Sequence, residues 1–148
     1  MKVKKLNIFN IETSVDDRGY LRYCNSFNLK SYSRFYDVIN YQSNFIRAWH
    51  GHKQESKAAI VREGSAMICL VEIDNWKKPS KKLQIKKYFL SNKSPKILEI
   101  PGGYAHGFMS LEPNTKITFY SNKSTEESLN DDYRFSYNFW NPWNIKYR

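Results

Sequence analysis

All three histidines of this 148-residue chain fall within two short motifs. One is Arg47-Ala48-Trp49-His50-Gly51-His52-Lys53, and the other is Pro101-Gly102-Gly103-Tyr104-Ala105-His106-Gly107-Phe108. Side chains alternate faces along a strand, so His50 and His52 are expected to point the same way from one β-segment. His106 follows a Pro-Gly turn, whose tight bend can aim a third ring at the same place. Imidazole titrates near pH 6.5, which suits proton transfer near neutrality, and it is also the commonest metal ligand.

Two chemistries compete for such a cluster. A His-x-His pair with an acidic residue and a later histidine is the ligand layout of metal-binding cupins, and Glu55 supplies the acid. It stands only three positions after His52, closer than that pattern expects, and Arg47 and Lys57 would oppose a cation. The same positive charges suit metal-free acid–base chemistry. There a neutral imidazole removes a proton from a carbon beside a ketone, and Arg47 and Lys57 stabilise the enolate oxygen. The expectation is therefore a site with no metal and no cofactor. Tyr120 ends a strand, where it serves either as core or as a proton donor. Asp17-Arg18-Gly19 is an ordinary turn in which Arg18 is a candidate phosphate contact.

The elements that must position these residues read as an all-β domain spanning residues 1–148. Segments rich in Ile, Val, Tyr and Phe run over Val3–Ile11, Tyr20–Asn25, Arg34–Tyr41, Ala58–Arg62, Ala66–Ile73, Leu83–Leu90, Ile97–Ile100 and Ile117–Tyr120. Turn residues separate them, as at Asp17-Arg18-Gly19, Glu63-Gly64-Ser65 and Glu112-Pro113-Asn114, and no long helical period intervenes. This spacing predicts a sandwich or barrel. Glu126–Leu129 is expected to form a helical turn capped by Ser124. The aromatic tail, Tyr133 to Arg148, is expected to pack on the outside of a sheet, with a subunit interface as the alternative.

Composition narrows the partners. With 41% hydrophobic and 16% aromatic residues the chain is not a disordered polymer. It has no run of about 18 apolar residues and no signal-peptide core near Met1, so a cytoplasmic protein without a membrane partner is expected. Cys24 and Cys69 show no zinc spacing and read as reduced thiols. A net charge of +10 raises nucleic acid as a partner, but the lysines come in scattered pairs without a nucleic-acid-binding signature. A small polyanion such as a nucleotide diphosphate fits the field better.

Taken together, these residues resemble the cupin-fold isomerases of nucleotide-linked 4-keto-6-deoxy sugars. Asp17-Arg18-Gly19-Tyr20-Leu21, Arg47-Ala48-Trp49-His50, Pro101 to Phe108 and Trp140-Asn141-Pro142 are similar to segments of the dTDP-4-dehydrorhamnose 3,5-epimerases. Lys57 falls where those epimerases carry a substrate-contacting lysine. His50-Gly51-His52-Lys53 instead resembles the His-Ala-His-Lys of the sugar-nucleotide 3,4-ketoisomerases, and the aspartate that pairs with the epimerase histidine has no counterpart before Arg148. The resemblance implies a cupin jelly roll (double-stranded β-helix) and a homodimer acting on a nucleotide-diphosphate sugar, in deoxysugar supply for surface polysaccharide. Because paired imidazoles suit transfer of hydrogen between C3 and C4, a 3,4-ketoisomerase is expected, with His50 as base and His52 its partner. A 3,5- or 3-epimerase using Tyr120, and a non-catalytic sugar-nucleotide-binding cupin, are the alternatives. His106 and Arg18 join Arg47 and Lys57 as the expected substrate contacts.

Overall fold

The computed structural model describes residues 5–148. Its strands are β1 (Asn7–Asn10), β2 (Glu12–Asp16), β3 (Gly19–Tyr23), β4 (Arg34–Asn40), β5 (Ile46–His52), β6 (Lys57–Glu63), β7 (Ser65–Glu72), β8 (Ile85–Ser91), β9 (Lys96–Ile100), β10 (Tyr104–Ser110), β11 (Thr115–Ser121) and β12 (Tyr133–Arg134), with one short helix, α1 (Thr125–Leu129). They form two five-stranded antiparallel sheets, in the orders β1-β9-β6-β11-β4 and β12-β5-β10-β7-β8, while β2 and β3 pair only with each other. The result is a jelly roll in one domain.

Three apolar layers follow from the alternation of side chains along the strands. Between the sheets lie Ala59, Val61, Ile68, Leu70, Phe108, Ile117 and Phe119. On the outer face of the β5-containing sheet the tail folds back, burying Trp140 and Trp143 against Trp49, Cys69 and Met109. Trp49 Nε1 donates to the Trp140 carbonyl at 3.0 Å, and Trp143 Nε1 donates to that of Tyr137 at 2.8 Å. The tail's tryptophans are thus consumed within the chain, and they provide no subunit surface. The outer face of the other sheet is covered by Phe27 and Tyr32 packed against Ala58, Ile60 and Ile97. Cys24 and Cys69 are free thiols.

Most strand expectations hold to within a few residues. Val3–Ile11 differs: its residues 3 and 4 lie outside the described residues, β1 ends at Asn10, and Ile11 turns its N–H to the Pro95 carbonyl at 3.1 Å before β2 begins. β10 was not expected as a strand, because Gly107 sits at its centre and glycine weakens a strand signal. A Cβ there would lie 2.5 Å from that of Ala48, so the close approach of β5 requires the glycine. Ser124 caps α1 as expected, in a reciprocal capping box with Glu127. No described helix is long and apolar enough to cross a membrane.

Candidate active site

β5 and β10 are neighbours, with His50 directly opposite His106. His50 and His52 face one cavity, while Gly51 between them faces outward, where a Cβ would meet Trp76 at 2.8 Å. The His106 ring centroid lies 5.7 Å from that of His50 and 5.8 Å from that of His52. The pairing slips between His106 and Phe108, so that Phe108 opposes Arg47 rather than Ala48. This bulge rotates Arg47 to the histidine side although it stands three residues from His50. Simple two-residue alternation would have put the two on opposite faces.

The cavity, about 390 Å³, opens between the sheets above Phe108 and Phe119. Lys57, the first residue of β6, is 7% exposed and donates from Nζ to the Tyr36 hydroxyl at 2.9 Å. Arg34 and Tyr36 face the cavity from β4, and Asp132 and Arg134 reach it from the segment after α1. Four cations therefore face one carboxylate in the lining, a field suited to an anionic ligand.

The histidines lie in surroundings that hold them neutral. Burial, then the charges of Arg134 and Lys57, push His50 down to about 4. Burial and Lys57 also lower His52, and they hold His106, 4% exposed, well below the ordinary imidazole value. Neutral rings offer basic nitrogens at neutral pH.

Among the described residues, His52 is the one of the three whose ring nitrogen is held by a hydrogen bond. Its Nδ1 lies 2.6 Å from the Asp131 carbonyl oxygen and 3.1 Å from Glu55 Oε2. Glu55 is 2% exposed and turned toward that nitrogen rather than into the cavity; Ser121 Oγ donates to its Oε1 at 2.6 Å and Ser128 Oγ to its Oε2 at 2.7 Å. The acid weighed above as a metal ligand thus stands behind the ring, outside the cavity lining. Among the described residues no three His, Cys, Asp or Glu side chains are grouped to hold a metal ion.

Two expected site residues are placed elsewhere. Tyr120 alternates with Phe119, so Phe119 faces the histidines and Tyr120 faces the opposite side of β11. There it packs on Phe27, Tyr32 and Phe35 and accepts a hydrogen bond from Arg62 Nη2 at 2.9 Å. The expectation that it donates a proton in the histidine pocket is corrected by this register. Arg18 lies at the exposed tip of the β2–β3 hairpin, paired with Asp16, and does not line its own chain's cavity. Arg34, Tyr36, Asp132 and Arg134 were not anticipated. Arg34 and Tyr36 were legible as the inward face of an alternating strand, whereas Asp132 and Arg134 carry no local signal.

Comparisons with known proteins identify the fold and the family. A protein-family model described as dTDP-4-dehydrorhamnose 3,5-epimerase matches residues 1–139. No curated protein matches. Among solved structures, dTDP-4-dehydrorhamnose 3,5-epimerase from Bacillus anthracis, with TDP and pyrophosphate bound, superposes with a TM-score of 0.77 at 23% identity, over 96% of this chain and 86% of that one. A 3,4-ketoisomerase from Helicobacter canadensis gives 0.68 at 22%, over 95% of this chain and 98% of that one. A TDP-quinovose 3,4-ketoisomerase from Campylobacter jejuni gives 0.68 at 21%, over 93% and 98%. At these identities the superpositions establish the fold, the same cupin-like jelly roll. With the family model spanning nearly the whole chain, the protein belongs to the dTDP-4-dehydrorhamnose 3,5-epimerase family of sugar-nucleotide isomerases.

Proposed function

We propose that this protein is a 3,4-ketoisomerase acting on a dTDP-linked 4-keto-6-deoxyhexose, without a metal or cofactor. The observation that carries the reading is the pair of neutral imidazoles, His50 and His52, facing one cation-lined cavity with Phe119 in the inward position beside Tyr120. An imidazole removes the proton from C3, beside the C4 carbonyl, and the electron pair moves to O4 as an enolate that Lys57 stabilises while Arg47 holds the diphosphate. Protonation at C4 and loss of the O3 proton then give the 3-ketone, so one hydrogen has moved from C3 to C4 and one from O3 to O4. A second imidazole beside the base relays these protons.

One observation favours a second reading. Tyr36 reaches the cavity from the sheet opposite the histidines with its hydroxyl held by Lys57, where it would serve as the opposed acid of a 3,5- or 3-epimerase. A non-catalytic cupin of this family would bind TDP and exchange nothing. Incubation with dTDP-4-keto-6-deoxyglucose in deuterium oxide, followed by NMR of the sugar, separates the three: exchange at C3 and C4 with the ketone moved to C3, exchange at C3 alone or at C3 and C5 with the ketone kept at C4, or none.

The reading includes a homodimer. The β2–β3 hairpin joins neither large sheet, and Val15, Tyr20 and Leu21 on it are 76%, 68% and 64% exposed. A protruding apolar hairpin suits a second copy of the chain. Arg18 at its tip keeps the phosphate role proposed for it only by reaching a partner's cavity. Sedimentation at micromolar concentration should give a dimer, and a monomer would remove both claims.

A further inference from the structure

The charge of the chain is concentrated. Of its 24 Lys and Arg, eight fall between residues 75 and 98 and two between residues 135 and 148, and neither segment holds an Asp or Glu. The other 14 cations are matched by all 14 acidic residues, so the whole excess of +10 sits in these two segments. The fold brings the segments together. The tail lies on the outer face of the β5-containing sheet, where Trp140 Nε1 donates to the Ser80 carbonyl at 3.0 Å and Lys81 Nζ stands 5.6 Å from the Phe139 ring centroid. The lysine-bearing loop 75–82 is thus the tail's neighbour. β8 forms an edge of the same sheet. Its Lys87 and Phe89 stand opposite Cys69 and Met67 of the outer layer, so alternation turns both outward, and Phe89 is 67% exposed. Lys146, Tyr147 and Arg148 follow Trp143, which is buried in that layer, and are exposed.

Guarding an edge strand does not account for this face. Lysines do protect exposed edges from pairing, but that covers only Lys86 and Lys87 on β8, and it would not set an exposed Phe89 on the same edge. Lys86 is used within the chain, with its Nζ 3.4 Å from the Tyr104 hydroxyl. Asp74, beside the loop, closes it by accepting from the backbone N–H groups of Asn75 and Ser80 at 2.8 and 3.2 Å. Nine of the ten excess cations are Lys and one is Arg. Protein interfaces are depleted in Lys, and nucleic-acid phosphates favour the arginine fork, whereas compact ammonium charges among exposed rings suit a diffuse anionic plane. We propose that the loop 75–82, the outward face of β8 and the tail form a docking surface for a bilayer containing anionic phospholipid, with the lysines on the headgroup phosphates and Phe89 entering the interface. The expectation of no membrane partner rests on the lack of an apolar span, which bears on crossing a bilayer and not on lying against one. None of these lysines lines the histidine cavity, and Arg134 at that cavity is on β12, at the opposite edge of the sheet from β8. Docking therefore leaves the cavity open.

Co-sedimentation of the full chain with vesicles is the test, one set made of phosphatidylcholine alone and one of equal parts phosphatidylcholine and phosphatidylglycerol. The protein should bind the anionic set and not the neutral one, with partition falling as salt rises and screens the lipid field. Lys77→Gln, Lys78→Gln, Lys81→Gln and Lys82→Gln together should cut the partition by about 10²-fold or more, at roughly fivefold per charge. Phe89→Ser should weaken the binding that survives at high salt. Neither change should move affinity for TDP. Lys116→Gln with Lys123→Gln, whose charges are matched by Glu63 and Glu127, should alter partition by less than about twofold. A quadruple variant that partitions like wild type, or wild type that binds both sets equally or neither, overturns the proposal. Tighter binding of a mixed-sequence RNA than of anionic vesicles would make the face a nucleic-acid surface, and overturns it too. If the quadruple variant does not fold, the dependence of wild-type partition on lipid charge and salt decides.

Discussion

His50→Asn should lose about 10²- to 10⁴-fold in turnover, the usual contribution of a general base, while affinity for TDP stays nearly intact. The reason is positional. His50 lines the cavity opposite His106 and is less buried than His52, so its ring is the more open of the pair to a substrate carbon. His52→Asn should also slow isomerisation by a factor in this range, but differently. With the C3 base in place, solvent deuterium still enters C3, and it is the later delivery of protons at C4 and the oxygens that fails. Measuring exchange and product formation separately on both variants distinguishes base from relay. Should His52→Asn abolish C3 exchange while His50→Asn retains it, the two roles are exchanged.

Lys57→Met should reduce kcat by about 10²- to 10³-fold with a smaller change in KM, the loss expected when a preorganised donor to a developing oxyanion is removed. The ammonium is buried, linked to Tyr36 and 3.8 Å from Glu55, and it faces the cavity beside all three imidazoles. Its charge lowers the proton affinity of His50, His52 and His106 alike. Removing it lets those pKa values rise, so the acid limb of the rate profile should move to higher pH. A Lys57→Met enzyme with unchanged kcat and raised KM would make Lys57 a diphosphate contact. Arg47, more exposed at the edge of the same cavity and tethered to Asn40 Oδ1 at 2.8 Å, suits that role better.

Much of this was legible in the chain because its strands obey a two-residue period. The alternation that sets His50 and His52 on one face also turns Gly51 outward, and the turn at Gly64, with φ +74°, closes the β6–β7 hairpin. What escaped was set by register or by distant contacts. The bulge in β5 that turns Arg47 inward depends on β10, and the one-residue difference between Phe119 and Tyr120 decides which ring meets the histidines. The loop that carries Glu55, only three residues from His52, is held in part by Asp131, 76 residues further on. No local pattern encodes such a pairing, because the loop and the segment after α1 meet only once the jelly roll has closed.

The central claim, enolisation confined to C3 and C4, is tested most directly by deuterium labelling of dTDP-4-keto-6-deoxyglucose. The account predicts deuterium at C3 of recovered substrate and at C4 of a 3-keto product, with the C5 proton fully retained. A 3,4-ketoisomerase has no step that breaks the C5–H bond, so deuterium at C5, with product still carrying its ketone at C4, would contradict the account and make the protein a 3,5-epimerase.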